Sequence, residues 1–187
     1  MTMTHKQQSQ FGNRLNAALT VCNQITRMAP NPAYICGGAP RDILFGRHPK
    51  DFDIFVPVRS DQVEPTAKRI QRWWHGRFGD LLPNYAGKAA GYSHMREEVL
   101  GTIKSKDSNI DVVFVDAKFG VTPAAIVAKF DNSMSMVWVT PDGRIDHTSL
   151  FLYSVGRKVL IAIPCNVQTD AHLMRVAAKF PDFSLVA

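Results

Sequence analysis

A chain of 187 residues is long enough to bury one sizeable core, and 45% hydrophobic with 20% charged residues is ordinary for a globular protein. Its 22 Lys and Arg against 16 Asp and Glu leave a net charge of +6, which suits a polyanionic partner or, equally, a modestly basic solvated surface. No apolar run is long enough to span a bilayer, and Cys22, Cys36 and Cys165 form no Cys-x-x-Cys pair, so no membrane partner and a reduced, cytoplasmic setting are expected.

The polar stretch from Met1 to Gln10 lacks the apolar core of a signal peptide and is expected to be a loose, flexible tail, residues 1–10. From Phe11 to Met28, Leu15, Ala18, Leu19, Cys22 and Ile25 recur at helical spacing, and Pro30 and Pro32 end that helix. A short strand over Ala33–Cys36 runs into the Gly37-Gly38 turn. Pro40 suits the first position of a short helix that Gly46 stops. Phe52–Val58 is predicted as a strand, Val63–Phe78 as a helix, and Asp80–Tyr92, rich in Gly, Pro and Ala, as an irregular loop. Glu98–Lys104 and Asn109–Val115 read as a hairpin turning at Lys106-Asp107-Ser108.

Thr122-Pro123 opens a helix reaching Phe130. Ser133–Val139 is predicted as a strand, with a tight turn at Thr140-Pro141-Asp142-Gly143 and a return at Arg144-Ile145. A helix over Thr148–Gly156, a strand over Val159–Ile163 and a helix over Gln168–Phe180 complete the order. Helices interleaved with hairpins predict an α+β fold, a mixed sheet flanked by helices with a short helical C-terminal extension, rather than a doubly wound parallel sheet.

Asp51 and Asp53, two apart on a strand, are expected to point to one face, with Phe52 and Ile54 turned into the core. Two close carboxylates repel unless a cation sits between them, and Mg²⁺, which takes oxygen ligands and leaves positions for substrate phosphates, is the natural one. A solvated Asp-x-Asp at a strand start is the plain alternative. Gly37-Gly38, between a strand and a helix, lets backbone approach a phosphate, and Arg41 lies one turn further on. Asp111 sits in the otherwise apolar Ile110-Asp111-Val112-Val113-Phe114-Val115, where a carboxylate must be paired or bind metal; Asp116 is its rival. The six histidines show no metal-ligand spacing. Trp73 and Trp74 with Arg69, Arg72 and Arg77 suggest either a nucleic-acid stacking face or, for at least one Trp, core packing.

These motifs resemble the DNA polymerase β-like nucleotidyltransferase superfamily, and among its members the head domain of the class II tRNA CCA-adding enzymes and bacterial poly(A) polymerases. That family carries Gly-Gly-x-x-Arg-Asp, a Leu-Gly-Arg-like segment and Asp-x-Asp, here Gly37, Gly38, Arg41, Asp42, Phe45-Gly46-Arg47, Asp51 and Asp53. The Gly101-Thr102 strand followed by the Asp111 strand is similar to its third-carboxylate hairpin. The family's Arg-Arg-Asp-Phe-Thr-Ile-Asn-Ala segment is matched more loosely by Lys129-Phe130-Asp131-Asn132-Ser133-Met134-Ser135-Met136, which keeps Asp131. Its base-reading Glu-Asp-x-x-Arg-x-x-Arg helix is matched, at altered spacing, by Asp170 and Arg175. For both of the latter, helix N-capping and a surface position are the alternative. The resemblance covers roughly residues 33 to 180, and room for the family's full tRNA-gripping neck, body and tail domains is not expected in this sequence.

The resemblance implies a nucleotidyltransferase head over residues 11–156 and a strand–helix extension over 157–187 resembling the start of the family neck. It implies two Mg²⁺ ions on Asp51, Asp53 and Asp111, and an NTP such as ATP held by Gly37, Gly38, Arg41, Asp131, Asp170 and Arg175. The NMP would pass to an acceptor hydroxyl on a tRNA-like RNA 3′ end. A non-catalytic nucleotide- or RNA-binding protein on this fold, or an antitoxin-like enzyme with a protein acceptor, are the other readings.

Overall fold

The computed structural model describes residues 5–75, 81–84, 98–105, 108–164 and 170–186, with backbone alone for 5–11, 81–84 and 170. In chain order these form α1 (His5–Met28), β1 (Tyr34–Cys36), α2 (Gly38–Leu44), β2 (Phe52–Val58), α3 (Val63–Trp74), β3 (Leu81–Asn84), β4 (Val99–Ser105) and β5 (Ile110–Asp116). There follow α4 (Pro123–Val127), β6 (Val137–Val139), β7 (Ile145–His147), α5 (Ser149–Arg157), β8 (Val159–Ile161), α6 (Asp170–Lys179) and β9 (Ser184–Val186).

Seven strands form one mixed sheet in the order β3-β4-β5-β2-β1-β6-β7. Its central pair, β2 and β5, is parallel, and the other neighbours are antiparallel. Strand period two decides what each face carries. On one face Phe52, Ile54, Val56 and Val58 of β2 and Ile110, Val112 and Phe114 of β5 pack against Ala18, Val21, Cys22 and Ile25 of α1 and Ala67, Ile70 and Trp74 of α3. On the other, Phe55, Val113 and Val115 join Ile126, Val127, Phe130, Phe151, Leu160, Val176 and Phe180 in a second core. Residues 157–187 thus contribute Leu160, Val176 and Phe180 to a core that they share with the sheet.

The expected α+β mixed sheet is the observed one, with local corrections. Helix α1 starts at His5, within the stretch expected to be a tail, because the helix continues back from its amphipathic part. Pro40 is the third helical residue rather than the first, still among the N–H groups that lack an intrahelical partner. Helix α4 is shorter than predicted: Thr122 caps it through Ala125 N, and it ends at Val127. The Asp80–Tyr92 loop holds a strand, Leu81–Asn84, which pairs with β4; the rest of that loop and Lys106-Asp107 lie outside the described residues.

The strand predicted over Ser133–Val139 is split into a 3₁₀ turn at Ser133–Ser135 and the strand Val137–Val139. The turn forms because the Ser133 hydroxyl accepts from Ile161 N at 3.0 Å and pairs with Ser154 Oγ at 2.6 Å, drawing the backbone inward. Strand β9 was not predicted; it pairs in parallel with β8. Trp74 is fully buried, as expected of at least one of the two tryptophans. Among the described residues no helix is long and apolar enough to cross a membrane.

Candidate active site

The chain enters α2 through Gly37, whose φ of 83° favours glycine and whose N–H donates to Val137 O at 2.8 Å. A Cβ at Gly37 would come within 3.0 Å of Phe130 Cε2. Gly37→Ala is therefore expected to cost about 1–3 kcal/mol through backbone strain, read as a lower melting temperature. Gly37, Gly38 and Ala39 form one wall of a cleft of about 440 Å³. Asp51, Asp53 and Asp111 line the same cleft, together with Lys50, Lys104, Asp131, His172, Arg175 and Lys179.

Register places the carboxylates. Asp53 and Asp111 are direct partners on the parallel pair β2 and β5, so both emerge on the face opposite Ile54 and Val112. Asp51 stands one residue before β2. Its backbone is tethered next door, where Arg14 of α1 donates from Nη2 to Lys50 O at 3.1 Å. Lys104 is the cross-strand partner of Asp111 on β4, its Nζ 3.5 Å from Asp111 Oδ2. Burial raises the Asp111 carboxyl above its usual value; Lys104 opposes that shift and the Asp51 charge adds to it.

The remaining candidates are placed more diversely. Arg41 lines the cleft but is buried, its Nε and Nη2 on Asp42 Oδ1 at 2.9 and 2.8 Å and its Nη1 on Ser135 Oγ at 3.3 Å. Its guanidinium is thus committed to the wall of the cleft rather than extended into it. Asp131 is fully buried: Asn132 Nδ2 donates to its Oδ1 at 2.7 Å, and His172 Nδ1 lies 2.6 Å from its Oδ2. Arg175 is exposed on the rim. Asp170 begins α6, and its side chain lies outside the described residues.

Sequence reasoning passed over Lys50, Lys104, His172 and Lys179, and it named Asp42 and Ser135 without a role. One signal was available: His172, Arg175 and Lys179 recur at spacings of three and four, one stripe of a helix, beside the apolar stripe of Leu173, Val176 and Phe180. That stripe faces the cleft. Lys179 Nζ donates to Asp42 Oδ2 at 2.6 Å, so α6 is pinned to α2 at one end and to Asp131 at the other. Phe180 adds apolar and cation–π contact, its ring 4.8 Å from that of Phe45 and 4.4 Å below the Arg47 guanidinium.

Comparison with known proteins agrees with this architecture. No family model matches the chain. Poly(A) polymerase I of Haemophilus influenzae is 30% identical over 131 residues, 66% of this chain and 28% of that protein. Among solved structures, a tRNA-processing enzyme in an apo form superposes with a TM-score of 0.60 at 19% identity, over 100% of this chain and 45% of its own. The Thermotoga maritima CCA-adding enzyme complexed with tRNA gives 0.58 at 16% identity, over 95% and 42%. The chain has the α+β fold of the head domain of these enzymes.

The chain spans less than half the length of the relatives it matches. Among the described residues no group of three or more His, Cys, Asp or Glu side chains is placed to hold a metal ion. Asp51, Asp53 and Asp111 nevertheless present carboxylate oxygens to the cleft, and burial with the neighbouring Asp51 charge makes the ionised Asp111 costly. That suits Mg²⁺, which takes one or two protein carboxylates and completes its shell with water and substrate phosphates. Cys36, which also lines the cleft, is inert by contrast: burial pushes its thiol well above the ordinary value, and Cys22 and Asp53 add to the shift.

Proposed function

We propose that the protein is a Mg²⁺-dependent nucleotidyltransferase that moves an NMP from an NTP to an acceptor hydroxyl, with an RNA 3′ end as acceptor. The observation that carries the reading is the in-register pair Asp53 and Asp111, lining one cleft together with the Gly37-Gly38 turn. Bound at Asp51, Asp53 and Asp111, Mg²⁺ would polarise the α-phosphate and offset charge on the leaving pyrophosphate.

The chain's own residues supply the rest. The glycine turn admits the phosphates closely because no Cβ intrudes. Lys50, Arg175 and Lys179 set positive charge around a polyanionic substrate. The carboxylates hold negative oxygens where the acceptor hydroxyl must lose its proton. Arg41 and Asp131 act through position: Arg41 braces Asp42, and Asp131 braces α6. Relatives include a CCA-adding enzyme solved with CTP and one solved with tRNA, which supports an NTP and an RNA as partners.

The test is a single-turnover assay with each labelled NTP, Mg²⁺ and total RNA. Label is expected in RNA, with loss on chelation. Label on a protein instead would reject the RNA acceptor, and no transfer to any acceptor would leave a binding protein on this fold.

A further inference from the structure

We propose that Lys104 is a resident counter-cation of Asp111, which an incoming divalent metal displaces, so that this lysine sets how tightly the cleft holds metal before nucleotide arrives. The inference rests on the metal-dependent reading above.

Lys104 and Asp111 are paired residues on antiparallel neighbours, so the contact is built into the register of β4 and β5. The strands beneath are held firmly: Ile103, Val112 and Val113 are fully buried around them. The side chain above is not. Lys104 is 48% exposed against 17% for Asp111, and the 3.5 Å separation is an ion pair longer than a good hydrogen bond. The flexible lysine stem is therefore the part that moves. The cleft cations Arg41 and Lys179 are both directed to Asp42, leaving them no such reach toward Asp111.

An ammonium and a divalent cation repel, so they do not share one carboxylate without cost. With Lys104 in place, Asp111 meets one positive charge already, and metal binding must release it. A substrate that brings its own phosphate oxygens to the metal offsets that loss. Metal and nucleotide then enter together, and free metal is held weakly.

Mn²⁺ titration of the nucleotide-free full chain, followed by electron paramagnetic resonance, tests this. Lys104→Met keeps the stem and removes the charge. It is expected to bind Mn²⁺ roughly two- to fivefold more tightly, the range for a half-exposed ion pair. In the Lys104→Met/Asp111→Asn double variant the gain should vanish, and Lys104→Arg should behave as the wild type. Unchanged or weaker Mn²⁺ affinity in Lys104→Met overturns the proposal, as does a gain that survives in the double variant. Binding that depends on Asp53 but ignores Lys104 defeats this inference alone. Mn²⁺ affinity indifferent to Asp53→Asn defeats the metal-dependent reading and this inference with it. Thermal melts confirm that each variant is folded.

Discussion

Asp53→Asn is expected to lower the single-turnover rate of nucleotidyl transfer by roughly 10³-fold or more, the scale of several kcal/mol of charge stabilisation. Asp111→Asn should fall in the same range. Asn preserves the volume and much of the hydrogen bonding of Asp, so the loss reports the missing charge. Both residues emerge from paired strands whose register fixes their positions. A variant retaining the wild-type rate would remove either residue from the chemistry.

Stability should move the other way for Asp111. Its carboxyl is raised above the usual value, chiefly by burial, with Lys104 opposing and Asp51 adding. The folded chain therefore binds this proton more tightly than the unfolded chain does. Stability contributed here falls as pH rises from the ordinary carboxylate value through the raised one, and the cost persists at higher pH. Asp111→Asn removes that cost. In metal-free buffer it is expected to melt above the wild type at pH 7, by a margin that disappears below the ordinary carboxylate value. A melting temperature lower than wild type at pH 7 would contradict this.

The second large effect is structural. Asp42→Ala leaves the Arg41 guanidinium buried without its carboxylate and strips Lys179 of its partner. The Arg41 and Asp42 side chains are each 4% exposed, so the pair lies where removing one member is expensive. A loss of about 3–5 kcal/mol is expected, which lowers the melting temperature by roughly 10 °C in a chain of this size. Hydrogen exchange across α6 should accelerate, because Lys179 anchors it to Asp42. Arg41→Ala is expected to cost less, since Asp42 keeps Lys179. Equal losses in the two variants would deny Asp42 its role as the shared anchor.

Those residues also mark how far the sequence could be read. Phe52–Val58 was legible to the residue because it is an apolar run broken only by Asp53 and Pro57, with Asp51 before it and Arg59 after it. The strand carrying Asp111 was legible for the same reason, and Gly37-Gly38 because a turn needing positive φ has few solutions. The 3₁₀ turn at Ser133–Ser135 was not, since a hydroxyl bond to Ile161 N, 28 residues away, decides it. Strand β9 was hidden too: a three-residue strand carries almost no periodic signal and exists through its partner β8.

The local pattern alone thus determined the α+β class, the paired carboxylates and the glycine turn, because each depends on residues within a few positions of one another. Tertiary structure alone decided that Asp53 and Asp111 share a register, that Lys104 meets Asp111, and that Arg41 turns to Asp42 while α6 closes over the cleft. Those are contacts between segments distant in sequence. Which charge finds which partner follows from strand pairing and helix docking, and neither is written in the spacing of any one segment.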